Sequence, residues 1–345
     1  MLNDPAYNLR RRLRRVGLSE SAINAAWPTW WSDEADASSS ARAELRYSLA
    51  RKLGLDPRSL LEDDTEPIFV WRDVARFKHL RGETDQDQAV ISSFGAALGG
   101  LLISATGSEF SIAGRSASDL RQTILQRKPF VGLSDLLSLC WTAGIPAIHL
   151  RVFPWRGKRM SAMTVRVNDR NAILLARDSY YPAQIAFYLA HELGHVLLGH
   201  LGSESVLVDF EAPSSHGSGL QTEGWEPPGL PDREEFTADS FALELLTGES
   251  DPKVLPMAHV GNARSLADVV LRSAEGLQIE PGTLALCYGY STGAWNVAIA
   301  SLKYIYTSVQ PVWELINRVA LSQLSLDEVH DDLRIYLLSV LGGNT

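Results

Sequence analysis

The string His191-Glu192-Leu193-Gly194-His195 lies in a stretch that is otherwise apolar, with Ile185-Ala-Phe-Tyr-Leu-Ala190 before it and Val196-Leu-Leu198 after it. Pro182 suits the first turn of a helix, and Gly202 can end one that runs to about Leu201. A helix of this composition is buried on most sides, yet two imidazoles and a carboxylate are costly to bury unless something pairs with them. The fold must therefore bring a partner to one polar stripe of a core helix. Residues four apart share a helix face, so both imidazoles can reach one ion at about 2.0–2.1 Å, the usual zinc–nitrogen distance. Glu192 is turned about 100° from His191 and can face the attacking water instead of taking a coordination position. With 8 His in 345 residues, chance placement supplies this pattern roughly 0.01 times. The plainer alternative is two histidines that cap a helix end or join a polar core network; it leaves the same burial with no ligand to offset it.

A catalytic zinc takes three protein ligands and keeps one position open. His200 is the nearest third histidine. On a continuous helix it stands about 140° round from His195, and it misses the spacing of a third ligand histidine, so a surface or capping role is expected. A second helix, Asp232 to Leu246, offers Glu235-Phe-Thr-Ala-Asp239. Glu235 can bind the ion while Asp239, four residues on, accepts a proton from the far nitrogen of a ligand histidine. Glu234 is the rival for the ligand position, and a solvated acidic face is the plain alternative for the pair. With such a site, Glu192 takes the water's proton and later hands it to the leaving amine. Tyr180, Tyr181 and Tyr188 are the candidates for a further donor to the developing oxyanion.

The rest of the chain sets the frame. A formal charge of −9 argues against coating nucleic acid or an anionic membrane through the overall field. Residues 1–65 read as a helical module: Leu9 to Val16, Ser19 to Ala26, and Ala41 to Leu53, the last stopped by Gly54. Glu62-Asp63-Asp64 and Pro67 mark a linker, and Ala89 to Ile103 and Leu133 to Ala143 read as buried helices. From Ala147 the period shortens: Ile148, Leu150 and Val152 alternate, and two strands flank the turn Asn168 to Asn171. Gly202 to Pro231 reads as a long surface loop, and the chain from Asp232 to Thr345 as mainly helical. The fold class is therefore α+β, mainly helical, with a small sheet packed on the histidine-bearing helix. Residues 66–250 form the core, and 1–65 and 251–345 are helical flanks.

Gln88 to Ser108 carries no charged side chain and is about long enough to span a bilayer. Its serines and glycines favour a buried helix of a soluble protein, although Gly95-x-x-x-Gly99 resembles a membrane packing motif. The N-terminus lacks an apolar leader, so the cytoplasm is expected, with no membrane partner. Cys140 and Cys287 stand in apolar surroundings and are expected buried and reduced. Arg10, Arg11, Arg12, Arg14 and Arg15 form a basic cluster, and Tyr47 to Leu60 can form part of a helix-turn-helix. Asp33, Glu34, Asp36 and Glu44 largely cancel that charge, so a helix face packing on protein is preferred to DNA binding. A second such fragment, Leu266 to Ile305 with Glu280-Pro281-Gly282 at its turn, is more apolar than basic and suits a packing domain.

His191-Glu-Leu-Gly-His-Val-Leu-Leu-Gly-His200 and Glu235-Phe-Thr-Ala-Asp-Ser-Phe-Ala-Leu-Glu-Leu-Leu246 resemble the two signature helices of the ImmA/IrrE family of metallopeptidases, gluzincins akin in site geometry to thermolysin. The resemblance covers about residues 145–250. It implies an intracellular zinc endopeptidase that relieves repression by cleaving a helix-turn-helix repressor or an antitoxin-type regulator. By that likeness His191, His195 and Glu235 hold zinc, Glu192 is the catalytic base and Asp239 orients a histidine. Thr237 and Asp239 stand where relatives often carry Glu and Asn. A reading of another class is a DNA- or protein-binding regulator that keeps zinc for structure or sensing.

Overall fold

The computed structural model describes residues 5–78, 84–107, 111–155, 160–202, 206–210, 233–251, 260–308 and 310–343. The chain opens with α1 (Pro5–Arg15), α2 (Glu20–Ala26), α3 (Asp33–Asp36), α4 (Ser39–Leu53) and α5 (Pro57–Leu61). Ser19, Ser32, Ser38 and Asp56 each accept a backbone N–H in the first turn of the helix that follows. Gly54, at φ 72°, closes α4 in the left-handed conformation expected of a helix-stopping glycine. Next come β1 (Ala75–Lys78), α6 (Asp85–Ser104), α7 (Ala117–Leu125), α8 (Leu133–Thr142) and β2 (Ala147–His149). The hairpin β3 (Met160–Val167) and β4 (Arg170–Leu175) leads to α9 (Pro182–Leu197), β5 (Val206–Phe210) and α10 (Arg233–Thr247). Five further helices finish the chain: α11 (Ala263–Leu277), α12 (Pro281–Thr292), α13 (Trp295–Ile305), α14 (Val312–Gln323) and α15 (Asp331–Val340).

The architecture is α+β, with one mixed sheet in the order β1-β5-β3-β4-β2. Val167 pairs with Arg170 across a two-residue turn in which Asn168 and Asp169 take φ of 50° and 62°. Those are the left-handed angles that a tight hairpin needs, and Asn and Asp tolerate them best after glycine. β5 lies inside the stretch expected to be surface loop, and β1, which no periodic pattern announced, pairs with it in parallel. The strand was hidden because Val206-Leu-Val208 is buried on both faces and so does not alternate. Residues 203–205 and 211–232, which hold the rest of the expected loop, lie outside the described residues.

Period two along each strand divides the molecule into two cores. Met163, Val165, Leu174, Val206, Val208 and Phe210 face a core shared with α1, α2, α4, α6 and α15. Ala162, Ile173 and Leu175 face a second core with α7, α8, α9, α10 and α14. A third cluster joins α11, α12 and α13, and α12 rests against α9. α6, begun by a reciprocal Thr84–Asp87 capping box, lies directly on the sheet. A Cβ on Gly95 would collide with Met163 Sδ, and one on Gly99 would stand 2.7 Å from Val165 Cγ1. The spaced glycines therefore serve helix-on-sheet packing. α6 is the one described helix with the length and apolarity to cross a membrane, and 72% of its apolar window is buried inside the protein. Cys140 and Cys287 are free and buried, and burial pushes both thiols up to about 12, which leaves them unreactive.

Candidate metal centre

α9 begins with Pro182 at its first position and ends at Leu197, four residues short of the expected Leu201; Gly199, at φ 73°, then turns the chain. Ala190, His191, Glu192, Leu193, Gly194 and His195 are all buried between the sheet and α10. Gly194 is where the two helices meet. A Cβ there would lie 3.2 Å from Phe241 Cδ1 and 3.3 Å from Ala238 Cα. That close approach sets Glu235, one turn before Ala238, against the imidazoles.

The Nε2 atoms of His191 and His195 face each other at 2.9 Å, and each lies 3.5 Å from a carboxylate oxygen of Glu235. Four ligands about 2.05 Å from a tetrahedral ion stand about 3.3 Å from one another. The imidazole pair is somewhat closer than that, and the two Glu235 oxygens, Oε2 toward His191 and Oε1 toward His195, stand near it. Glu235 Oε1 is also buried without a hydrogen-bond partner among the described residues, with the Lys78 ammonium 3.5 Å away, so a ligand there would complete its bonding. These two observations show a donor set that fits a metal ion: His191, His195 and Glu235 can hold one.

The surroundings polarise these groups. His191 Nδ1 donates to Asp239 Oδ1 at 2.8 Å, the orienting contact expected of that aspartate. Burial pulls the His191 pKa down, but the bonds to Asp239 and Glu235 and the charge of Glu192 outweigh it and leave it well above normal. Burial and then the charge of His191 depress His195 to about 3. Glu235 falls to about 2 because the two imidazoles and Lys78 more than offset its burial. Glu192, fully buried and held at 2.6 Å by the Thr164 hydroxyl, is pushed by burial up to about 7. A carboxylate poised near neutrality can both accept and return a proton.

No family model, curated protein or solved structure matches the chain. Meaning therefore comes from the geometry itself. Of the rival pair, Glu234 is turned away, 2.8 Å from Arg76 and 3.4 Å from Lys78, and Glu235 is the one brought to the histidines. Tyr181 stacks on Tyr306 in the contact with the C-terminal helices, Tyr188 carries the Arg177 guanidinium over its ring, and Tyr180 is exposed.

His200 corrects an expectation. It is half-buried, with Nδ1 2.9 Å from His195 Nδ1. A continuous helix would carry the ring away from the centre, but α9 stops at Leu197 and the turn at Gly199 brings it back. Four other groups of the centre had no visible pattern. Thr164 on β3 holds Glu192. Lys78 on β1, 3.5 Å from Glu235 Oε1, and Arg76, whose guanidinium bonds the His200 carbonyl, share the strand face toward α9 and α10. Asp209 on β5 sits opposite Lys78, close to His191 and Glu192, with Oδ1 buried and unbonded among the described residues. Burial and the charge of Glu192 hold its carboxyl well above the usual range. Alternation along β1 and β5 would have put these residues on one face had the strands been recognised.

Proposed function

We propose that the chain is a zinc-dependent endopeptidase of the cytoplasm whose substrate is a regulatory protein, such as a helix-turn-helix repressor or an antitoxin. The observation that carries the reading is the arrival of Glu235 from α10 at the two imidazoles of α9, beside a buried Glu192 whose pKa is near 7. Oxygen and nitrogen donors in tetrahedral spacing suit zinc, and three protein ligands leave one position open. Zinc bound there supplies Lewis acidity. Glu192 holds the proton taken from water and passes it to the leaving amine, and Thr164 keeps the carboxylate aimed. Asp239 fixes the His191 ring. The likeness of both helices to the ImmA/IrrE signatures supports the substrate class.

The DNA-binding form of the regulator reading depends on a basic surface, and several arginines of α1 are already committed. Arg10 lies over the Trp27 ring and bonds Asn24, Arg14 pairs with Glu20, and Arg12 bonds the carbonyls of Ser59, Glu62 and Thr65. The test is to incubate zinc-loaded protein with regulators encoded beside its gene and to look for fragments by mass spectrometry. Fragments that vanish in Glu192→Gln, with zinc retained, are expected. A biological effect that survives Glu192→Gln overturns the enzyme reading in favour of a binding module.

A further inference from the structure

We propose that His200 is a positioning residue for the metal centre: a hydrogen-bond chain that ends at Thr237 fixes which nitrogen of His195 carries the proton. The inference rests on the reading of His191, His195 and Glu235 as metal ligands. An imidazole that offers its Nε2 lone pair to an ion must carry its proton on Nδ1. His195 Nδ1 faces His200 Nδ1 at 2.9 Å, so one of the two donates to the other. With His195 as donor, His200 accepts at Nδ1 and keeps its own proton on Nε2. That nitrogen stands 3.3 Å from Thr237 Oγ1. The threonine hydroxyl has the carbonyl oxygens of Arg233 and Glu234 at 3.0 Å each, groups that only accept, so its hydrogen points to them and its lone pair faces His200. Every proton along the chain is thereby assigned.

The chain runs through the turn after α9 and ends at the start of the second turn of α10, two residues from Glu235. It therefore sets the His195 ring relative to the helix that supplies the carboxylate. Arg76, bonded to the His200 carbonyl and paired with Glu234, ties the same two segments from the β1 side. The two ligand histidines are thus oriented by different chemistry. His191 uses the Asp239 carboxylate, whereas His195 uses a neutral imidazole. Glu192, Asp209, Glu235 and Asp239 already converge on this centre, and a neutral acceptor orients the second ring without bringing in a fifth carboxylate.

The experiment is a zinc competition titration at pH 8 on the full chain. His200→Leu, which removes the acceptor, is expected to weaken zinc by about 10- to 100-fold, the usual effect of losing an outer-shell partner. His200→Asn, whose Oδ1 can take the place of Nδ1 but does not reach Thr237, is expected to recover most of that loss. Thr237→Val should weaken zinc by several-fold in the wild-type background and have no effect in His200→Asn, because the two act in series. Nitrogen-15 NMR of His195 in metal-free wild type and Thr237→Val at pH 8 reads the tautomer before zinc imposes it: an Nδ1-protonated ring in wild type and a mixture in Thr237→Val are expected, and the same mixture in both overturns the proposal. Zinc that binds wild type and His200→Leu alike overturns this proposal alone, and so do additive effects of Thr237→Val and His200→Asn. Zinc that fails to bind the wild-type protein overturns the metal reading with it.

Discussion

Asp239 and Glu234 are both acidic, both on α10 and both near the centre, yet their geometry assigns them different work. Asp239 takes the outer proton of His191, so Asp239→Ala, which removes the acceptor, should weaken zinc by about 10- to 100-fold. Glu234 is engaged by Arg76 and Lys78, so Glu234→Gln should leave the affinity far closer to wild type. Calorimetric titration of the two variants checks the contrast, and a reversed order would show that the ligand helix is rotated. Proton competition adds a second prediction. The metal-free His191 pKa is raised well above 6.5, so its protonated form stabilises the metal-free fold fully below the unfolded value and loses that effect as pH rises through the folded one. Zinc must displace this proton. Affinity should therefore rise about tenfold per pH unit across neutrality, and a flat profile would contradict the charge state assigned to His191. The ligands were legible because spacing on one helix is a local code. Thr164, Lys78 and Asp209 were not, because single polar residues on short strands acquire meaning only when the sheet delivers them.

The contact between α9 and α10 depends on Gly194, the residue before the second ligand histidine. Gly194→Leu inserts atoms where Ala238 Cα and Phe241 already stand, so it should destabilise the fold by about 1–3 kcal/mol. Zinc affinity should fall as well, although no ligand is changed, because α10 is pushed off with Glu235. Urea unfolding and zinc titration on one preparation check both effects; full affinity despite lost stability would show that Glu235 follows the imidazoles by another route. Helices were legible in outline from caps and periodicity: α4, α8 and α10 fall close to their expected bounds, whereas α6 begins four residues before its expected start and α9 ends four before its expected end. The strands were less so. The β3–β4 hairpin carried its own turn residues, whereas β1 and β5 carry only four and five residues and pair through distant segments.

At the scale of the molecule, the first and last helices share one core. Lys52 on α4, almost fully buried, bonds Asp332 on α15 at 2.7 Å and the Ala26 carbonyl, and Tyr336 returns a bond to the Lys52 carbonyl. Lys52→Met leaves the Asp332 carboxylate buried without its counter-ion, which should cost about 3–5 kcal/mol. The double change with Asp332→Leu should recover much of this, as urea midpoints will show, and an unchanged midpoint in the single variant would mean that the termini do not depend on the pair. Such a pairing, 280 residues apart, has no signature in composition or period. Zinc K-edge X-ray absorption on the loaded protein tests the metal reading most directly. One zinc per chain is predicted, with a shell of nitrogen and oxygen only at about 2.0–2.1 Å, two imidazoles in the multiple scattering, and a changed shell in Glu235→Gln. Sulfur at about 2.3 Å, or a spectrum indifferent to Glu235→Gln, would contradict it.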